Sequence, residues 1–255
     1  MNKKDYFDLS GKVALVTGGS RGIGEAIARG LANQGAIVII SSRKIEGCEA
    51  VANSINADGG SAHARACHAG NMEDIDKLFA DIEGEFGGLD ILINNAGTSP
   101  YYGPIGDTDL GAFNKTIEVN LRGPFFMSCK AVKMMQKRGG GAIVNVSSIN
   151  ALHPGMHQGI YSITKAAVSN MTQSFAKEYG PDNIRVNALL PGFTDTKMTT
   201  VLKEDEEFLK SYTDKFPISR MGLPDEMTGA VLYLVSDAAS YTTGTTIVVD
   251  GGLNA

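Results

Sequence analysis

Short apolar runs rich in Val and Ile recur along the chain at residues 12–16, 36–40, 90–93, 142–146, 184–189 and 246–249. Runs of this length without strict alternation are those of strands buried on both faces, as in a parallel sheet. Residues 61–67 form a weaker, alternating run that supplies a seventh strand. Between the runs, apolar positions follow helical spacing over 23–33, 45–57, 72–86, 110–120, 125–136, 161–178 and 198–215. Several of these stretches stop at a glycine (Gly35, Gly87, Gly139, Gly180), the residue that favours a left-handed cap.

Strand–helix alternation predicts one α/β domain over residues 1–255. Its expected form is a Rossmann-type doubly wound parallel seven-stranded sheet with helices on both faces. Ligands of such sheets bind at the carboxyl ends of the strands, so reactive residues are expected just after strands. Residues 194–216, with Lys203-Glu204-Asp205-Glu206-Glu207 between apolar clusters, read as a helical flap. No repeat or Pro/Gly-rich linker divides the chain.

Composition narrows the partners. With 43% hydrophobic and 20% charged residues, the 255-residue chain has apolar material for one large core. A net charge of −5, with no basic run longer than Lys3-Lys4, lacks the electrostatic footprint of a nucleic-acid binder. No apolar run approaches the roughly 20 residues that cross a bilayer, and the start MNKKDYFDLS has no signal-peptide stretch, so a cytoplasmic protein without a membrane partner is expected. Cys48, Cys67 and Cys129 are odd in number and scattered, and they predict buried free thiols rather than disulfides or zinc ligands. His153 and His157 are four apart, but Pro154 and Gly155 disfavour a regular helix between them, and no metal site is expected.

After the first strand comes Thr17-Gly18-Gly19-Ser20-Arg21-Gly22-Ile23-Gly24, leading into a helix. Glycines in a strand-to-helix turn let the backbone approach a pyrophosphate, whose charge meets the unpaired N–H groups of the helix start. Tyr161 and Lys165, four apart in a predicted helix, share one face.

The spacing TGxxxGxG departs from the usual GxGxxG. Together with Asn94-Asn95-Ala96-Gly97 after the fourth strand, Ser148 after the fifth, Tyr161-Ser162-Ile163-Thr164-Lys165 and the terminal Val249-Asp250-Gly251-Gly252, it resembles the short-chain dehydrogenase/reductase family over nearly the whole chain. The resemblance implies a nicotinamide dinucleotide held by Gly18, Ser20, Arg21, Gly22, Ile23 and Gly24, with Asn95, Ala96 and Gly97 lining the adenosine ribose. It implies that the turn Pro191, Gly192, Thr194 and Thr196 holds the nicotinamide carboxamide. The position where an NAD enzyme places a carboxylate falls on Ser42, and Arg43 follows it. Arg43 and Arg21 together accommodate a 2′-phosphate, so NADP(H) is the expected cofactor. Many relatives carry Asp where this chain has His68. The ring either meets the adenine edge, or faces solvent while the backbone does that work.

By the same resemblance, the reacting set is Asn120, Ser148, Tyr161 and Lys165. Hydride arriving at a carbonyl carbon builds negative charge on oxygen, which needs a proton donor. Tyr161 is expected as general acid–base, Ser148 as the group orienting the substrate oxygen, and Lys165, together with the positive nicotinamide of the oxidised cofactor, as the charge that lowers the phenol's pKa from about 10; Lys165 also binds the nicotinamide ribose. Asn120 would hold a relay water. Tyr101, Tyr102, Met156, His157, Phe193, Met198, Val201 and Leu202 are expected to line the substrate cleft, together with Ser148. Their apolar, aromatic character suits a free hydrophobic ketone better than a sugar. The alternatives are a 3-oxoacyl-carrier-protein reductase and, more remotely, a non-catalytic NADP(H)-binding sensor. Arg138 is a candidate docking base for an acidic carrier, and Asp182 in Gly180-Pro181-Asp182-Asn183 argues against such docking. The resemblance also implies a homotetramer. Phe125, Phe126 and Met127 with Ala166, Ala167 and Met171 are candidate contact faces, unless they serve ordinary helix-to-sheet packing.

Overall fold

A computed structural model describes residues 5–200 and 206–255, and within them the seven strands form one parallel sheet. These are β1 (Val13–Thr17), β2 (Ile37–Ser42), β3 (Ser61–Ala66), β4 (Ile91–Asn94), β5 (Gly141–Val146), β6 (Ile184–Pro191) and β7 (Thr246–Val249). Their order is β3-β2-β1-β4-β5-β6-β7, so the winding direction reverses between β1 and β4. Val16 pairs with Ile40 on one side and with Ile93 on the other. The crevice outside this reversal point is where such sheets take a ligand.

The helices are α1 (Gly22–Asn33), α2 (Ile45–Ala57), α3 (Met72–Phe86), α4 (Leu110–Ile117), α5 (Gly123–Lys137), α6 (Gly159–Tyr179), α7 (Glu206–Thr213) and α8 (Thr228–Val235). Because strand side chains alternate, Val16, Ile40 and Ile93 pack with α1, α2 and α8, whereas Leu15, Ile39 and Leu92 pack with α3, α5 and α6. Both sides of the sheet are therefore core. Gly30 allows the close crossing of α1 and α8, since a Cβ there would fall 2.2 Å from Thr228 Cγ2.

The structure departs from the sequence expectation in four places. The stretches 110–120 and 125–136 are one continuous helical path, joined by a π-helical turn at Glu118–Arg122. Pro124 has no N–H for the Asn120 carbonyl, and the wider turn absorbs that break. α8 was not expected: Ala230, Val231, Leu232, Leu234 and Val235 leave no polar face from which to read a helical period. The expected helix over 198–215 is, among the described residues, a 3₁₀ turn at Lys197–Thr199 followed by α7. Gly180 keeps ordinary helical backbone at φ −55°, and Asn183 three residues on takes the left-handed turn at φ 58°.

Candidate active site

At the carboxyl end of β1 the glycine turn packs tightly against the loop that follows β4. Gly18 has φ 64°, and a Cβ on Gly24 would stand 2.4 Å from both Asn95 Nδ2 and the Gly18 carbonyl oxygen. Asn95 Nδ2 donates to the carbonyls of Thr17 (2.9 Å) and Gly18 (3.2 Å), while the N–H groups of Asn95 and Ala96 donate to Thr17 Oγ1 at 3.0 Å. Asn95 thus braces the turn with its amide. Arg21 stands at the N-cap of α1 without any side-chain cap, unlike Asn71 on α3 and Asp109 on α4. The first N–H groups of α1 therefore point outward with no side-chain acceptor, as a phosphate requires. Thr196 faces the turn, its Cγ2 3.6 Å from where a Gly22 Cβ would stand.

At the end of β2, Ser42 Oγ donates to the Lys44 carbonyl at 3.1 Å and accepts from Cys48 Sγ at 3.1 Å. Arg43 and Arg21 are exposed. Neither guanidinium has an ion pair or hydrogen bond among the described residues, whereas Arg29, Arg65, Arg122, Arg138 and Arg220 are all ion-paired. The cradle, the uncapped helix start and two unpaired arginines fit a phosphorylated dinucleotide.

The four expected reacting residues lie on β5, α6 and the π turn. Ser148 follows β5, and its Oγ accepts the Asn150 N–H at 3.2 Å. Tyr161 is in the first turn of α6 and Lys165 one turn on, buried at 4% exposure. Lys165 Nζ donates to the Val146 carbonyl at 2.9 Å and lies 5.6 Å from the Tyr161 ring centroid. Asn120, 1% exposed, accepts from Thr98 N–H at 2.8 Å and donates to the Thr98 carbonyl at 2.9 Å. A Cβ on Gly97 would sit 3.6 Å from Lys165 Nζ and 3.8 Å from Asn120 Oδ1, which places this turn beside the point where lysine and asparagine converge.

Burial pulls the Lys165 ammonium down to about 8. Burial also pushes the Tyr161 phenol above its ordinary value, against the opposing hydrogen bond with Ser148. In the protein alone desolvation outweighs the hydrogen bond with Ser148, so the lowered phenol expected from the sequence rests on the cofactor's positive charge that the expectation included.

The cleft lining divides. Tyr102 and His157 face each other at 5.6 Å between centroids, and His157 takes φ 63° while its carbonyl accepts the Gly103 N–H at 3.0 Å. Phe193 meets Tyr212 edge-on at 5.3 Å and Phe216 at 6.5 Å. Met156 and Met198 are exposed. The Tyr101 hydroxyl donates to the Pro104 carbonyl at 2.9 Å, within its own loop. Val201 and Leu202 lie outside the described residues. Thr194 is buried and donates to the Gly192 carbonyl at 3.1 Å, so its hydroxyl stabilises its own turn. Pro191 and Gly192 end β6 against β7, where Gly192 N–H donates to the Val249 carbonyl at 2.9 Å. Sequence reading missed Tyr212 and the pair Asn150–Gln158 (2.9 Å) beside Ser148. The polar residues flanking Ser148 and Tyr161 were the available signal for that pair.

Arg138 is corrected. It precedes β5 and is ion-paired with Asp90 at 2.9 Å, and residues 180–183 precede β6, so both lie at the amino ends of the strands, opposite this chain's cleft.

Against known proteins, residues 18–254 match the family described as enoyl-(acyl carrier protein) reductase. The chain is 40% identical to human dehydrogenase/reductase SDR family member 4 over 252 residues, covering 99% of this chain and 90% of the relative. It is 42% identical to the 3-oxoacyl-[acyl-carrier-protein] reductase of Aquifex aeolicus, covering 96% and 98%. A gluconate 5-dehydrogenase from Burkholderia cenocepacia, solved with NADP and tartrate, superposes with TM-score 0.94 at 32% identity over 98% of both chains. A 3-oxoacyl (acyl-carrier-protein) reductase from Agrobacterium tumefaciens, solved with NADP, gives 0.92 at 36% identity over 97% of this chain and 96% of that one. The chain belongs to the short-chain dehydrogenase/reductase family. It is a dehydrogenase/reductase acting on CH–OH groups, and its cofactor is a nicotinamide dinucleotide.

Proposed function

We propose that this protein is an NADPH-dependent carbonyl reductase, reversibly an alcohol dehydrogenase, for free small-to-medium hydrophobic ketones. The observation that carries the reading is the pair of unpaired arginines, Arg21 and Arg43, flanking Ser42 at the position where a carboxylate would repel a 2′-phosphate. The aromatic walls Tyr102–His157 and Phe193–Tyr212 favour an apolar substrate over a polyol.

A nicotinamide dinucleotide held by the β1 turn, Arg21 and Arg43 would supply hydride for the carbonyl carbon, or take it up from the alcohol. Tyr161 gives its proton to the carbonyl oxygen as charge builds there, and Ser148 holds that oxygen by a hydrogen bond. Lys165, close beneath the Tyr161 ring, stabilises the phenolate left behind. Asn120 fixes the adjoining loop through Thr98 and keeps open the space from which Tyr161 and Lys165 are reprotonated. Residues 1–255 act as one domain, with α7 as part of the substrate flap. The exposed pair Phe125 and Phe126 supports a homotetramer, whereas Met127 and Met171 are core. A cytoplasmic location is consistent with no helix of the described residues being long and apolar enough to cross a membrane.

The testing experiment follows NADPH and NADH absorbance against aryl ketones, keto esters, sugars and an acetoacetyl-carrier-protein. Highest kcat/KM with NADPH and a hydrophobic ketone is the expected result. Clear preference for the carrier-bound thioester would establish instead the activity named for the Aquifex relative.

A further inference from the structure

Ser148 and Tyr161 come to the site on two arms of the chain, one leaving β5 and the other entering α6. The loop between the arms is exposed at Leu152, His153, Pro154, Met156 and His157. Inside that loop an amide pair ties the arms together, since Asn150 Nδ2 donates to Gln158 Oε1 at 2.9 Å. On the first arm the Asn150 N–H donates to Ser148 Oγ at 3.2 Å, which occupies one lone pair of that hydroxyl. On the second arm the Gln158 carbonyl accepts at 2.9 Å from both the N–H and the Oγ of Ser162, the residue next to Tyr161. Gln158 stands at the N-cap of α6, yet its side chain caps no N–H group of that helix. Gly155 makes room for the pair: a Cβ there would fall 2.6 Å from Gln158 Oε1 and 2.8 Å from Asn150 Nδ2, although its φ lies outside the left-handed region. With a lone pair of Ser148 Oγ taken by Asn150, its proton is left for the phenol oxygen. That hydrogen bond opposes the burial that raises the Tyr161 phenol.

We propose that Asn150 and Gln158 are positioning residues, whose side-chain pair ties the end of β5 to the start of α6 and fixes the separation at which Ser148 and Tyr161 both reach the substrate oxygen. The proposal rests on the reading above, in which Ser148 holds that oxygen and Tyr161 protonates it. A small displacement of an orienting group costs turnover even when every reacting residue is present. The pair acts through Ser148 and not on the substrate, so its loss falls on kcat and leaves KM in place.

The test measures ketone reduction, the pH profile of alcohol oxidation and the NADPH dissociation constant for Asn150→Ala, Gln158→Met, Gln158→Glu and Gly155→Ala, with Ser148→Ala as reference. Asn150→Ala and Gln158→Met should each lower kcat about tenfold with KM and NADPH affinity within about twofold of wild type. The double variant should lose little more than either single one, as expected of two residues that act as a unit. Gly155→Ala removes no bond but sets a methyl against the pair, and should give a smaller loss that disappears in the Gln158→Met background. Gln158→Glu keeps an acceptor for Asn150 and should recover most of the turnover that Gln158→Met loses. In Gln158→Met the midpoint of the oxidation profile should rise by about half a pH unit, because a displaced Ser148 no longer supports the phenolate. A merely structural contact would not move that midpoint. A raised KM with kcat unchanged would show that the pair binds substrate itself, and overturns the proposal. Wild-type turnover in Asn150→Ala and Gln158→Met, with Ser148→Ala impaired, overturns the tie alone. Near-normal turnover in Ser148→Ala overturns the role of Ser148 and the tie with it.

Discussion

Lys165 reaches under the ring of Tyr161, 5.6 Å from its centroid, yet directs its hydrogen bond to the Val146 carbonyl at 2.9 Å. The ammonium is thus held by the strand end and is close to the phenol without being spent on it. Its burial has a consequence for stability. Unfolded, Lys165 titrates near 10.5, whereas in the folded protein it titrates at about 8. Between these values the unfolded chain binds more protons, so the contribution of Lys165 rises with pH from 8 to 10.5. Below that window both states are protonated and the burial penalty is at its full value. The cofactor-free wild type, compared with Lys165→Met by urea unfolding, should gain roughly 3 kcal/mol across the window. A pH-independent difference would contradict the buried-ammonium reading.

Arg21→Ala combined with Arg43→Ala should weaken NADPH far more than NADH. Each lost charge-assisted contact is worth about 1.5–3 kcal/mol, or about 10–150-fold in affinity. Fluorescence titration of both cofactors checks this, and equal losses would remove the phosphate site from these residues.

Tyr212→Ala should lower kcat/KM for aryl ketones by about tenfold and for short aliphatic ketones less, since an aromatic contact adds about 0.5–1.5 kcal/mol beyond the buried area. Tyr212→Phe should retain most of the activity. Steady-state kinetics on a matched substrate pair distinguishes the two.

Behind α6 runs a buried polar chain: Asn94 Nδ2 donates to Asn145 Oδ1 at 2.8 Å, and Asn145 Nδ2 to Thr172 Oγ1 at 2.9 Å. Asn145→Ala takes one buried partner from each neighbour, although Asn94 keeps Ser128 Oγ and Thr172 keeps the Val168 carbonyl, and should cost about 1–3 kcal/mol in urea unfolding. A change below that range would show that the chain relaxes around the gap.

Much of this was legible in the sequence for physical reasons. Buried parallel strands announce themselves as Val/Ile runs, and the glycine turn, Ser148, Tyr161 and Lys165 stand where strand ends and helix faces place them. Three features were not legible. The turn holding Asn120 depends on Pro124 denying one carbonyl its donor, and the sequence shows the break but not that the helix continues through it. The role of Asn95 as a brace depends on its meeting Thr17 and Gly18, 78 and 77 positions away in the chain. Tyr212 joins the cleft through Phe193, by a tertiary contact that no local period encodes.

Tyr161→Phe tests the central claim most directly, because it deletes the proton donor and leaves the nucleotide cradle intact. Turnover and NADPH affinity should be measured on the same preparation with the best ketone of the panel. The account predicts kcat reduced by at least about a hundredfold with the NADPH dissociation constant nearly unchanged. Near-normal turnover in the variant would contradict it.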